Sequence, residues 1–196
     1  MAIHDGFMNR SKALLIAIGL LVLACTWVSA LEPDGTVIIA YTLHRIPKMA
    51  SNQLAVWIED AEGRFVRTLF ATDFMARRRG FLKRPQVCPE WVRAADLGQL
   101  DPKAIDAVSG ATQKPGPVTL VWDCTAADGR PVAPGPYLFK VEGNLFWEKR
   151  VLWTGRIEVG TAASESAAAV QYLPDASSAQ EGVLVEGVTA RFQPRQ

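Results

Sequence analysis

Histidine is nearly missing from this 196-residue chain: two occur, and only His44 lies beyond the first thirty residues. No H-E-x-x-H, paired C-x-x-C or His-rich tract is present, which excludes the usual zinc-hydrolase arrangements and leaves no metal ligands to assign. There is no G-x-S-x-G elbow. Ser109-Gly110 has no base at a fixed spacing beside it, so no nucleophile and base can be paired, a hydrolase is a weak reading, and no catalytic residue is assigned. G-x-G-x-x-G and Walker loops are absent too, which removes a Rossmann or P-loop nucleotide pocket. Excess charge is also lacking, with 21 basic and 20 acidic residues. Without residues 1–30, which carry Asp5, Arg10 and Lys12, the balance is 19 against 19, and nucleic acid is not an expected partner. Of three cysteines, Cys88 and Cys124 lie beyond that segment. They stand in no redox or metal spacing, and either form one disulfide in an oxidising compartment or are isolated packing thiols.

A long apolar run is the next absence. The apolar stretch from Ala13 to Ala24 is about a dozen residues, short of the ~20 that a bilayer-spanning helix needs. Arg10 and Lys12 precede it and Val28-Ser29-Ala30 supplies small residues for signal peptidase, so residues 1–30 read as a cleaved signal peptide and the chain as periplasmic. Met8 offers an alternative start. Lipoprotein anchoring at Cys25 is the lesser reading, because Leu23 fits poorly among the small residues that such sites prefer.

What remains is rich in strand patterns. Thr36 to Leu43 alternates, and Gln53 to Asp60 places Leu54, Val56 and Ile58 on one face with Trp57 opposite. Turn chemistry at 59–63 joins that segment to Arg64–Ala71 as a hairpin. Val118 to Cys124, Tyr137 to Glu142 and Val151 to Val159 continue the series, punctuated by Asp128-Gly129 and Pro134-Gly135-Pro136. Recurrent strands without intervening helices indicate a mainly β, antiparallel sandwich over residues 31–160. Residues 73–117 break the pattern as a partly helical insertion. Asp73 caps a short helix through Arg79 that Gly80 ends, Pro89 opens another that runs to Leu97, and Asp101-Pro102 opens a turn. Residues 161–182 read as a flexible Ala/Ser-rich linker, and 183–196 as a C-terminal strand or tail with Val183, Val185 and Val188 inward.

The sharpest chemical signal is Asp106-Ala107-Val108-Ser109-Gly110-Ala111-Thr112. Gly110 and Ala111 remove side-chain bulk ahead of one hydroxyl, and Asp106 and Ser109 can hold a turn through side-chain to backbone bonds. The pattern D-x-x-[ST]-G-A-T resembles the recognition sequence of bacterial FMN transferases, which cleave FAD and leave FMN esterified through its phosphate to the threonine. Lys114 stands where many such sites carry a further Ser or Thr. The elements Leu54 to Asp60, Asp106 to Thr112, and Trp122-Asp123 with Asp128-Gly129, Val132, Gly135 and Tyr137 resemble an uncharacterised bacterial periplasmic family, a domain of unknown function. The second half is similar to the immunoglobulin-like domain of the flagellar hook-capping protein. This resemblance implies an Ig-like β-sandwich that carries covalent FMN at Thr112, with an FMN transferase and an inner-membrane, haem-bearing reductase as partners in electron transfer. The chain departs from it at Cys124, where the sandwich turn usually has Gly, and in its long tail. A cofactor-free Ig-like binding or assembly module is the alternative.

Three further features bear on function. Arg77, Arg78, Arg79, Lys83 and Arg84 form a basic cluster that would steer an anionic group or partner, line the rim near anionic lipid, or simply be solvated. Trp91 and Trp147 are the candidates for stacking on a flavin ring, with Trp57, Trp122 and Trp153 in the core. His44 is either a cofactor contact or a solvated residue at a strand end.

Overall fold

The computed structural model describes residues 35–76, 80–97, 109–110 and 113–195. The expected signal peptide at 1–30, the arginines at 77–79 and the turn at 101–105 lie outside them. The fold is mainly β. One sheet has the order β5-β1-β10-β8, from Gly116–Trp122 (β5), Gly35–Leu43 (β1), Val185–Pro194 (β10) and Ser164–Ala167 (β8). The other has the order β4-β3-β2-β6-β7-β9, from Ser109–Gly110 (β4), Phe65–Thr72 (β3), Gln53–Asp60 (β2), Gly135–Phe146 (β6), Lys149–Val159 (β7) and Ala169–Leu173 (β9). All pairings are antiparallel except β3 with β4.

Period-two alternation builds the core between the sheets. Val37, Ile39 and Tyr41 of β1 meet Leu54, Val56 and Ile58 of β2, Phe139 and Val141 of β6, and Phe192 of β10 in one buried cluster. Trp122 packs edge-on against Tyr137 at 5.1 Å. The Tyr137 hydroxyl donates to the Ala133 carbonyl at 2.6 Å, the upstream bond found at tyrosine corners of sandwich domains. Cys124 closes this region at φ +55, a backbone conformation that glycine adopts freely and other residues resist. Its thiol, buried in the same cluster, is pushed up to about 12 chiefly by desolvation.

The partly helical insertion covers the opposite face of the second sheet as three short helices, Asp73–Ala76 (α1), Gly80–Lys83 (α2) and Pro89–Ala94 (α3). Ala55 and Trp57 of β2 and Ala71 of β3 are buried with Met75, Phe81, Cys88 and Trp91 in a second cluster. This explains why β2 is buried on both faces. Gly80 does not end a helix but begins α2. A β-carbon there would sit 2.4 Å from the Phe74 carbonyl oxygen, so the approach of α1 to α2 excludes any side chain.

Of the two readings of Cys88 and Cys124, a disulfide or isolated packing thiols, the structure has the second. Both thiols are free, and they lie in the separate clusters on the two faces of the second sheet. The tail also differs from expectation, because 161–182 holds two strands and a 3-10 turn where a linker was expected. β8 pairs with β10 of the first sheet, β9 with β7 of the second, and Ala176–Glu181 follows as the 3-10 turn, capped by Asp175. Val185 and Val188 point inward as expected, whereas Val183 is half exposed.

Candidate functional site

The insertion returns to the sandwich at β4. Ser109 pairs by its backbone with Ala71, and Gly110 with Thr72, in a two-residue parallel ladder at the sheet edge. Gly110 sits directly against an aromatic ring: a β-carbon there would meet the Phe70 ring at 2.6 Å. Phe70 is buried in the inter-sheet core and has little room to yield. Glycine at this position is therefore a packing requirement in its own right, in addition to any need of a modifying enzyme for a slim loop. Gly110→Val should destabilise the fold by roughly 1–3 kcal/mol through overpacking. Thermal unfolding should recover part of that loss when Phe70→Leu is added, and a Gly110→Val chain as stable as wild type would refute the packing account.

Asp106, Ala111 and Thr112 lie outside the described residues. Their chain neighbour Gln113 does not, and its side chain is held: the Tyr41 hydroxyl donates to Gln113 Oε1 at 2.7 Å. Burial raises the Tyr41 phenol well above its ordinary range, the Gln113 bond opposing this only in part, so the hydroxyl keeps its proton and its donor role at any ordinary pH. The two residues flanking Ala111 and Thr112 are thus both anchored, one to β3 and the other to β1.

Between these anchors lies a small, open cleft of about 30 Å³, room for a water or two and well below the roughly 300–1,000 Å³ of small-ligand sites. Leu43, His44 and Arg45 follow from the end of β1, Asn52 and Leu54 from the start of β2, Phe70 and Thr72 from the end of β3, with Gln113, Pro115 and Leu184 completing the wall. These positions converge because the open ends of neighbouring antiparallel strands lie together. Apolar Leu43, Leu54, Phe70 and Leu184 supply the floor, and the polar groups are fixed by neighbours. Thr72 Oγ1 donates to Gln53 Oε1 at 2.8 Å and receives the Leu54 N–H at 3.4 Å. Asn52, at φ +62, accepts from the Ile46 N–H and donates to the Ile46 carbonyl, both at 2.8 Å, which closes the 44–52 loop on itself. His44 stands at the rim, its ring 3.0 Å from the Glu186 carboxylate and its backbone N–H on the Leu184 carbonyl.

The cleft offers hydrogen bonds and an aromatic edge, and its residues form no nucleophile–base pair. Among the described residues no group of three or more His, Cys, Asp or Glu side chains could hold a metal ion, and no helix is long and apolar enough to cross a membrane.

The expected stacking tryptophans separate. Trp91 is fully buried in the cluster beneath the insertion and donates through Nε1 to Thr68 at 2.9 Å, so it has no face left for a ring. The spacing Cys88, Trp91, Ala95 is an apolar helical stripe that would have marked it as core. Trp147 remains exposed, with the Arg84 guanidinium 5.5 Å over its ring. Tyr41, Phe70, Thr72 and Gln113 were not legible as site residues, since no local pattern links positions brought together only by sheet topology.

The match to known families comes from one model, described as "Predicted periplasmic protein (DUF2271)", which covers residues 39–174. No curated protein and no solved structure matches the chain.

Proposed function

We propose, from the premise that this chain belongs to the DUF2271 family of predicted periplasmic proteins, that it carries FMN covalently on Thr112 and relays electrons between a membrane reductase and a periplasmic acceptor. The observation that supports the reading is that the residues on either side of Ala111 and Thr112 in the sequence are held, Gly110 by pairing with β3 and Gln113 by Tyr41, and that Gln113 lines the cleft. The fit rests on chemistry as well as position. Gly110 admits no side chain, and the cleft presents fixed amide and hydroxyl groups beside a phenyl ring.

In attachment, Thr112 Oγ forms a bond to the flavin-side phosphorus of FAD as the pyrophosphate P–O bond breaks. AMP leaves, and the hydroxyl proton passes to the transferase or water. Once held, FMN supplies reversible one- and two-electron chemistry, and the protein supplies position and electrostatics. Gln113 and Thr72 would orient the polar edge of the group, and Phe70 and Leu54 would limit water on its other side. An exported chain, with residues 1–30 removed, would meet the transferase outside the cytoplasm.

Co-production with an FMN transferase tests this. Intact mass should rise by one FMN less one water, with flavin fluorescence retained after denaturation, and Thr112→Ala should abolish both. An unchanged mass, or a gain that survives Thr112→Ala, would reject the proposal and favour a cofactor-free binding or assembly module.

A further inference from the structure

We propose that the end of the sandwich formed by the 44–52 loop, α2 and the β6–β7 turn docks on an anionic lipid surface. Three large apolar side chains stand out from three different elements there. Met49 is 86% exposed, Leu82 63% and Trp147 48%. Their neighbourhood is shared: the Arg84 guanidinium and the Trp147 N–H both donate to the Ala50 carbonyl, at 2.9 and 3.1 Å, and Leu82 lies two residues before Arg84.

The exposure of Trp147 is built into the turn. Its backbone sits at φ +48, and Asn144 Nδ2 donates to its carbonyl at 2.5 Å, which fixes the ring outward under the Arg84 guanidinium. Lys48 sits 5.5 Å over the adjoining Phe146 ring. Arg45, Lys48, Lys83, Arg84 and Lys149 come from these segments and their margins, against Glu148 and Glu181. Glu181 joins Lys48 and Lys149 at 2.6 and 2.5 Å and offsets part of their charge.

Separated apolar tips ringed by cations match a headgroup layer, where Trp sits at the interface and Lys and Arg meet lipid phosphates. A protein partner fits less well, because interface cores are contiguous and poor in lysine. The inference stands apart from the flavin reading, since lipid docking requires nothing at Thr112.

Co-sedimentation of the purified chain, made without a transferase, with phosphatidylcholine vesicles and with phosphatidylcholine–phosphatidylglycerol vesicles provides the test. Binding should need the anionic lipid, and should fall about fivefold for each basic residue neutralised, as in Lys83→Ala. Met49→Ser combined with Trp147→Ser should weaken it further while leaving thermal unfolding nearly unchanged. Equal binding to neutral vesicles, no binding to either, or binding untouched by these variants would overturn the proposal. So would binding of polyglutamate by a chain that ignores vesicles, which would mark an acidic protein as the partner.

Discussion

Trp57→Ala is expected to lower the stability of the fold by about 3–5 kcal/mol, the cost of emptying a large aromatic site in a packed core. Trp57 is fully buried at the centre of β2, on the face that the insertion covers, in the cluster that includes Met75, Cys88 and Trp91. Its loss removes more than apolar contact. The indole Nε1 donates to Glu59 Oε1 at 2.7 Å, Glu59 pairs with Lys140 at 2.7 Å, and Lys140 lies 5.9 Å over the indole ring. With the ring gone, a nearly buried carboxylate loses a donor and faces a cavity. The damage should concentrate in the insertion, because the other face of β2, with Leu54, Val56 and Ile58, retains its partners between the sheets. Chemical denaturation should report the lost stability, and limited proteolysis should cut first between 73 and 97. Trp147→Ala, at a half-exposed site, should cost less than ~1 kcal/mol and serves as the contrast. A Trp57→Ala chain with an uncleaved insertion and near wild-type stability would show that the insertion is held by something other than this cluster.

The sandwich was legible because its strands obey one rule. Apolar residues alternate on the strand faces turned to the core between the sheets, and β2, β6 and β7 announce themselves by Leu54-Val56-Ile58, Tyr137-Phe139-Val141 and Val151-Ile157-Val159. The tail was misread for the converse reason. β8 and β9 are edge strands whose Ser164-Glu165-Ser166-Ala167 and Ala169-Val170-Gln171 face largely outward, so backbone pairing defines them while their composition resembles a linker. Two isolated cysteines say nothing about which face of a sheet each occupies, and so the disulfide stayed open on sequence alone. The motif at Asp106 to Thr112 stands out in the sequence as a local pattern, whereas the surroundings of its described residues do not. That Gly110 is pressed against Phe70, and that Gln113 is tied to Tyr41, depends on a parallel ladder and a contact across 72 residues that no local pattern encodes.

Arg150→Met is expected to destabilise the fold by about 1 kcal/mol more at pH 8 than at pH 5, and the difference reports a buried ionic pair beneath the insertion. Glu142 is completely inaccessible on β6. Its Oε2 accepts the Trp91 N–H at 3.1 Å, and its Oε1 lies 3.1 Å from Arg150 Nε as an ion pair without hydrogen-bond alignment. Burial pushes the carboxyl up to about 7 from an ordinary 4.5, with the nearby Glu90 adding to the rise, while the Trp91 N–H and Arg150 oppose it. The sign follows from proton counting. Between 4.5 and 7 the folded chain holds a proton on Glu142 that the unfolded chain has released, so this group's contribution falls as pH rises through that window. The penalty is absent below the window and complete above it, on the order of 3 kcal/mol. Removing Arg150 removes a cation that favours the carboxylate, so Glu142 keeps its proton to higher pH in the folded variant and the extra loss appears only as pH rises above the wild-type window. At pH 5 Glu142 is already neutral, and what is lost is the packing of the Arg150 stem, which methionine largely restores, together with its 3.9 Å ion pair with Glu90. Unfolding free energies of both proteins at pH 5 and pH 8 check this, since other titrating groups are common to the two and cancel in the difference. Glu142→Gln in the Arg150→Met background should erase the pH dependence of the loss. A loss of equal size at both values would mean that Arg150 acts through shape alone, and that Glu142 carries no charge under the insertion at either pH.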